Sequence, residues 1–110
     1  MSTCVFCDII AERAPAVKVY EDDALLAIED AAPRAPVHLL LLPRRHVPTL
    51  LDIQPDDVPW VGAIPFLANR LARERGIADS GYRLVANVNR GGGQVIFHVH
   101  FHLMGGRLPR

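Results

Sequence analysis

The stretch Ile96-Phe97-His98-Val99-His100-Phe101-His102-Leu103 decides how this chain is read. On a β-strand successive side chains point to opposite faces, so His98, His100 and His102 share one face while Val99, Phe101 and Leu103 share the other. The apolar face is built to pack, and the imidazole face is left for chemistry. The alternation predicts a strand over Ile96–Leu103. Ahead of it stand the loop Asn89-Arg90-Gly91-Gly92-Gly93-Gln94 and a second apolar segment, Tyr82–Val88, which together predict two neighbouring strands with a glycine-rich connection.

Farther out, the apolar residues Val58, Val61, Ile64, Leu67, Ala68 and Leu71 recur at helical spacing, and Gly76 stops the pattern, which predicts one long helix over Pro55–Arg75. Pro59 suits its first turn, whereas Pro65 falls inside, where a kink or an interruption is expected. Val37–Leu42 reads as a central strand. Val17–Tyr20 and Leu25–Glu29 read as a hairpin across Glu21-Asp22-Asp23, and Val5–Glu12 as a short helix capped by Thr3 and ended by Pro15. About five strands with one long and one short helix make a single α+β domain, residues 1–110, around a mostly antiparallel sheet.

At 110 residues one hydrophobic core suffices. Twelve basic and twelve acidic residues cancel. No field is left to hold a nucleic-acid backbone and no basic amphipathic face to meet lipid, so no nucleic acid and no membrane is expected as a partner. No apolar run approaches the roughly 18 residues of a membrane span. Phosphate recognition must therefore be local. The start, Met1-Ser2-Thr3-Cys4, lacks the charged and apolar regions of a secretory signal, and a cytoplasmic location is expected. Disulfides are disfavoured there, so the Cys4-x-x-Cys7 spacing suggests metal first and a redox pair afterwards, with two inert thiols as the plain alternative.

Three imidazoles on one strand face admit two kinds of chemistry. One is a three-histidine catalytic metal site. The other is covalent catalysis, in which one ring nitrogen attacks phosphorus while the other is held by an acceptor that fixes the tautomer. Gly91-Gly92-Gly93 favours the second, because glycines let backbone N–H groups turn toward an anion.

The segments APVHLLLLPRRHV (35–47), NVNRGGGQ (87–94) and HVHFHLMGGR (98–107), with the opening CVFCDIIAERAPAVKVYEDD (4–23), together resemble the histidine triad (HIT) family, its Hint branch in particular, over nearly the whole chain. The resemblance implies hydrolysis of a purine nucleoside 5′-phosphoramidate on a homodimer whose two sheets join into one. It makes His100 the nucleophile that forms a nucleotidyl-imidazole intermediate, gives His102 a non-bridging phosphate oxygen, and puts His98 and His38 in the supporting hydrogen-bond network. Asp30 would accept from the ribose hydroxyls; Asn87, the Gly93 backbone and Gln94 would meet the phosphate or leaving group. Val5, Phe6, Ile9 and Ile28 would line the base pocket.

Two positions depart from the family pattern. Val95 stands where a serine is usual after the loop glutamine, and Ala31 is smaller than the branched residue usual beside the ribose-binding acid. Bacterial relatives with Cys-x-x-Cys also resemble this chain in a histidine after the Pro43-Arg44-Arg45 turn, which implies a tetrahedral structural zinc on Cys4, Cys7, His46 and His98. No organic cofactor is implied. The alternatives are a dinucleoside polyphosphate hydrolase, a nucleotide-binding regulatory module with negligible turnover and a zinc-binding structural domain. Finally, Trp60, Ile64, Phe66 and Leu67 on the long helix are more apolar surface than one small sheet is expected to cover, which places some of them at a twofold contact.

Overall fold

Leu39, Leu40, Leu41 and Leu42 are all buried, which a strand shows only when both of its faces are covered. In the computed structural model, which describes residues 4–107, they lie in β3 (Val37–Pro43). The other strands are β1 (Lys18–Glu21), β2 (Leu25–Glu29), β4 (Tyr82–Val85) and β5 (Phe101–Gly105). They form one sheet in the order β1-β2-β3-β5-β4 with every pairing antiparallel. One face carries Leu25, Ala27, Leu39, Leu41, Val99 and Leu103, packed against Trp60, Ile64, Leu67, Ala68 and Leu71 of the helix α2 (Val58–Glu74). The opposite face carries Leu26, Ile28, Leu40 and Leu42, packed against Phe6 and Ile9 of α1 (Val5–Ile10). A six-residue helix is only about 9 Å long. It covers part of that face, and Ile28 and Leu40 beside it line a cleft.

Several boundaries differ from expectation. The Thr3 cap lies outside the described residues; Cys4 is the N-cap observed, its Sγ accepting from the Cys7 N–H at 3.3 Å. The helix ends at Ile10 because Glu12 turns to a positive φ of 61°, outside helical backbone. β4 stops at Val85, short of Val88. β5 begins at Phe101, not at Ile96, and runs on to Gly105. The cause is at the end of β3: the Pro43 carbonyl accepts from His98 Nε2 at 2.7 Å, and the Val99 N–H donates to the Val47 carbonyl. Proline has no N–H to continue the ladder. The predicted two-sidedness survives without the ladder, since Val99 packs with α2 while Phe6 meets His98 and His100 edge-on.

Pro65 does not interrupt α2, which continues through it. Its side is exposed, so the carbonyl it leaves without a donor faces water. The expectation that the long helix overtaxes the sheet also needs correction: Trp60, Ile64 and Leu67 are buried within one chain, and only Phe66 stays out, 78% exposed. Among the described residues no helix is long and apolar enough to cross a membrane.

Candidate active site

The cleft beside α1 has a volume of about 1090 Å³ and is lined by Val5, Phe6, Ile9, Ile28, Asp30, His38, Asn87, Gly93, His100 and His102, among others. Its size is just above the roughly 300–1,000 Å³ usual for small-molecule sites. The apolar residues of this set come from α1 and β2. The imidazoles come from β3, from β5 and from the extended segment before β5.

The hydrogen bonds determine where each ring carries its proton. The backbone N–H of Arg34 can only donate, and it lies 3.0 Å from His38 Nδ1, so His38 is protonated on Nε2. That N–H is 2.9 Å from His102 Nδ1 and 3.3 Å from Asp30 Oδ2. His102 Nδ1 is thereby an acceptor, and its Nε2 carries the proton. Burial, then the charges of His100 and His38, push His102 down to about 4, so near neutral pH the ring is uncharged. Burial lowers His38 as well. His100 is oriented by its own chain: Nδ1 donates to the His98 carbonyl at 2.8 Å, which leaves Nε2 with a free lone pair.

His98 faces elsewhere. It is wholly buried, and because Nε2 donates to the Pro43 carbonyl, Nδ1 carries a lone pair. That lone pair points into a cluster with Cys4 Sγ at 3.4 Å, Cys7 Sγ at 3.7 Å and His46 Nδ1 at 3.2 Å, and Cys7 Sγ is 3.3 Å from His46 Nδ1. All four ligand atoms lie within 4.8 Å of one another. Zinc bonds of 2.0–2.3 Å in a tetrahedron require ligand-to-ligand distances of about 3.3–3.8 Å. The cluster therefore fits zinc in ligand type, spacing and tautomer, with the Pro43 carbonyl holding the outer nitrogen of His98. Burial and the neighbouring Cys4 push the Cys7 thiol up to about 11.

A family model described as the scavenger mRNA decapping enzyme C-terminal binding region matches residues 3–109. The chain is 41% identical to the purine nucleoside phosphoramidase of Escherichia coli (strain K12) over 103 residues, 94% of this chain and 87% of the relative. It is 46% identical to a HIT family hydrolase from Legionella pneumophila Philadelphia 1, whose crystal structure superposes with a TM-score of 0.92 over 96% of this chain and 94% of that one. The chain belongs to the histidine triad family. A Zn-bound histidine triad family protein from Mycobacterium smegmatis is 34% identical, with a TM-score of 0.83 over 96% of this chain and 76% of that one.

Within this histidine triad protein the expected residues divide into three groups. Phe6, Ile9, Ile28, Asp30, Asn87, Gly93, His38, His100 and His102 meet at the cleft. His98 belongs by its side chain to the Cys4–Cys7–His46 cluster and supports His100 only through its carbonyl, while His38 supports His102. Gln94 is buried away from the cleft: its Oε1 accepts from the Asn89 N–H, and its Nε2 donates to the Pro48 and Ile96 carbonyls. The glycine loop also differs from expectation. Residues 90–92 wind into one 3₁₀ turn, and the N–H groups of Gly92, Gly93 and Gln94 donate to the Asn89 and Arg90 carbonyls. The loop offers close backbone approach, with Gly93 at φ 89° against Asn87, and those amides do not cradle an anion. Arg34 also lines the cleft. The signal for it in the sequence was a single cation between Asp30 and His38, in a loop that prolines bracket.

Proposed function

We propose that the protein is a nucleotide hydrolase that cleaves a nucleoside 5′-phosphoramidate, or a related conjugate, at its α-phosphate through a nucleotidyl-His100 intermediate. The observation that carries this reading is the bond from His100 Nδ1 to the His98 carbonyl. It points the Nε2 lone pair at the cleft and stabilises the positive charge that the ring acquires when Nε2 bonds to phosphorus. The name of the Escherichia coli relative supports the same chemistry.

In the first step a Nε2–P bond forms and the P–N bond to the amine breaks, the departing nitrogen taking a proton from solvent that the attacking water of the second step gives back. In the second, water attacks phosphorus, the Nε2–P bond breaks, and the nucleoside monophosphate departs with His100 restored. The Nε2–H of His102, its tautomer set by His38, holds a non-bridging oxygen. Asp30 accepts from the ribose, Asn87 and Gly93 flank the phosphate, and Val5, Phe6, Ile9 and Ile28 hold the purine. A zinc on Cys4, Cys7, His46 and His98 would be structural: closed by four ligands, it would pin α1 to the segment that carries His100. No organic cofactor takes part. The protein acts in the cytoplasm as a homodimer in which the sheets pair along an edge and remove an exposed strand.

One observation favours a second reading, a binding module with little turnover: Val95, beside the cleft, is 86% exposed and offers no donor to a leaving group. The deciding experiment incubates purified protein with adenosine and guanosine phosphoramidates and with a diadenosine polyphosphate. Nucleoside monophosphate release and the mass of a trapped nucleotidyl-protein support the hydrolase. Tight binding without release supports the module.

A further inference from the structure

Arg34 lies in the loop between Asp30 and His38, with Pro33 before it and Pro36 two residues beyond. The prolines fix φ at two points and stiffen the loop, and the Arg34 N–H is itself held by His38. The residue is exposed and is among those that line the cleft. No carboxylate of the described residues lies within ion-pair distance of it, whereas Arg75, the other arginine of the cleft, is paired with Glu29 at 3.2 Å. The nearby Asp30 is already engaged, accepting from the Ala32 N–H at 2.8 Å and lying 3.3 Å from His38 Nε2. The Arg34 charge lowers both His38 and His102, though on His102 less than His100 and His38 do. That is the behaviour of a charge at the rim of the imidazole group.

From this placement we infer that Arg34 selects conjugates that carry a second anionic group beyond the α-phosphate, a carboxylate or a phosphorus oxyanion on the leaving group. A guanidinium on a residue that lines a concave site, with no carboxylate partner among the described residues, is a ready fork for either anion, and the cleft encloses about 1090 Å³. The inference rests on the hydrolase reading above and names its substrate class.

The test uses three adenosine 5′-phosphoramidates that differ only in the amine: glycinamide, glycine and aminomethylphosphonate. Turnover of the glycinamide conjugate tests the hydrolase reading alone. The Arg34 inference is read from the ratio of kcat/KM for each anionic conjugate to that for the neutral one, and from the same ratio in Kd measured by calorimetry on His100→Ala protein. That second readout remains valid if no conjugate is turned over. The expected ratio favours the anions by tenfold or more, collapses in Arg34→Gln, is partly kept in Arg34→Lys and shrinks as salt is raised. Comparing glycine with aminomethylphosphonate shows which anion is preferred. Equal affinity for neutral and anionic conjugates, or an Arg34→Gln loss that is the same for all three, overturns the inference and makes Arg34 a contact of the α-phosphate or of the loop.

Discussion

The carbonyl of His98 lies 2.8 Å from Nδ1 of His100, and the side chain of His98 belongs to the Cys4, Cys7 and His46 cluster. One residue thus joins a metal-type cluster to the orientation of the imidazole that faces the cleft. Replacing the His100 ring leaves that carbonyl in place and leaves Val99, Phe101 and Leu103 packed on the other side. His100→Ala is expected to lower nucleoside monophosphate release by about a thousandfold or more, with nucleotide affinity and melting temperature little changed. Activity within tenfold of the parent would sink the covalent mechanism.

Burial and the neighbouring Cys4 push the Cys7 thiol up to about 11, so zinc binding near pH 7 must displace the Cys7 proton. One zinc per chain by elemental analysis is expected, together with proton release when metal-free protein is titrated with zinc. Cys4→Ser is expected to lower the melting temperature on the order of 10 °C, as roughly 2 kcal/mol does in a domain of this size, while protein that remains folded keeps most of its rate. Substoichiometric metal after purification without chelator would return both cysteines to the inert reading.

Stability should respond to the buried imidazoles. His102 stands at about 4 and His38 below its ordinary 6.5, in both cases first because burial opposes the charge. Between about pH 4 and 6.5 the unfolded chain then binds more protons than the folded one. The contribution is complete above about 6.5 and is lost as pH falls toward 4. Melting temperature is expected to fall across that window, and less steeply in His102→Asn. Parallel profiles for the two proteins would show that His102 carries none of the effect.

Val95→Ser puts a hydroxyl at the cleft where an exposed valine now stands. A gain on the order of tenfold in phosphoramidate turnover is expected, since a donor near developing charge lowers the barrier. An unchanged rate in stopped assays would mean that another group already does this work.

Phe66, the most exposed large apolar side chain of α2, is expected at a twofold contact. Light scattering at micromolar concentration should give twice the chain mass, and Phe66→Glu should give a folded monomer. A parent protein that is monomeric under those conditions refutes the dimer.

The alternation in His98–His102, the helical spacing from Val58 to Leu71 and the unbroken Leu39–Leu42 run were enough to read the α+β architecture, because periodicity is a local property that burial enforces residue by residue. The family likeness singled out His38, His100, His102 and Asp30 from segments more than fifty residues apart. What the sequence left open were relationships between segments. The donor lost at Pro43 and the carbonyl taken by His98 end the ladder at Phe101, and no local pattern encodes a bond spanning 55 residues. The glycines promised amides free for an anion, and the tight turn consumed those of Gly92 and Gly93 within the loop. Only folding could decide that Gln94 holds the loop, that His38 sets the His102 tautomer and that Arg34 lines the cleft with no carboxylate partner among the described residues, because each depends on which groups distant strands bring within hydrogen-bonding reach.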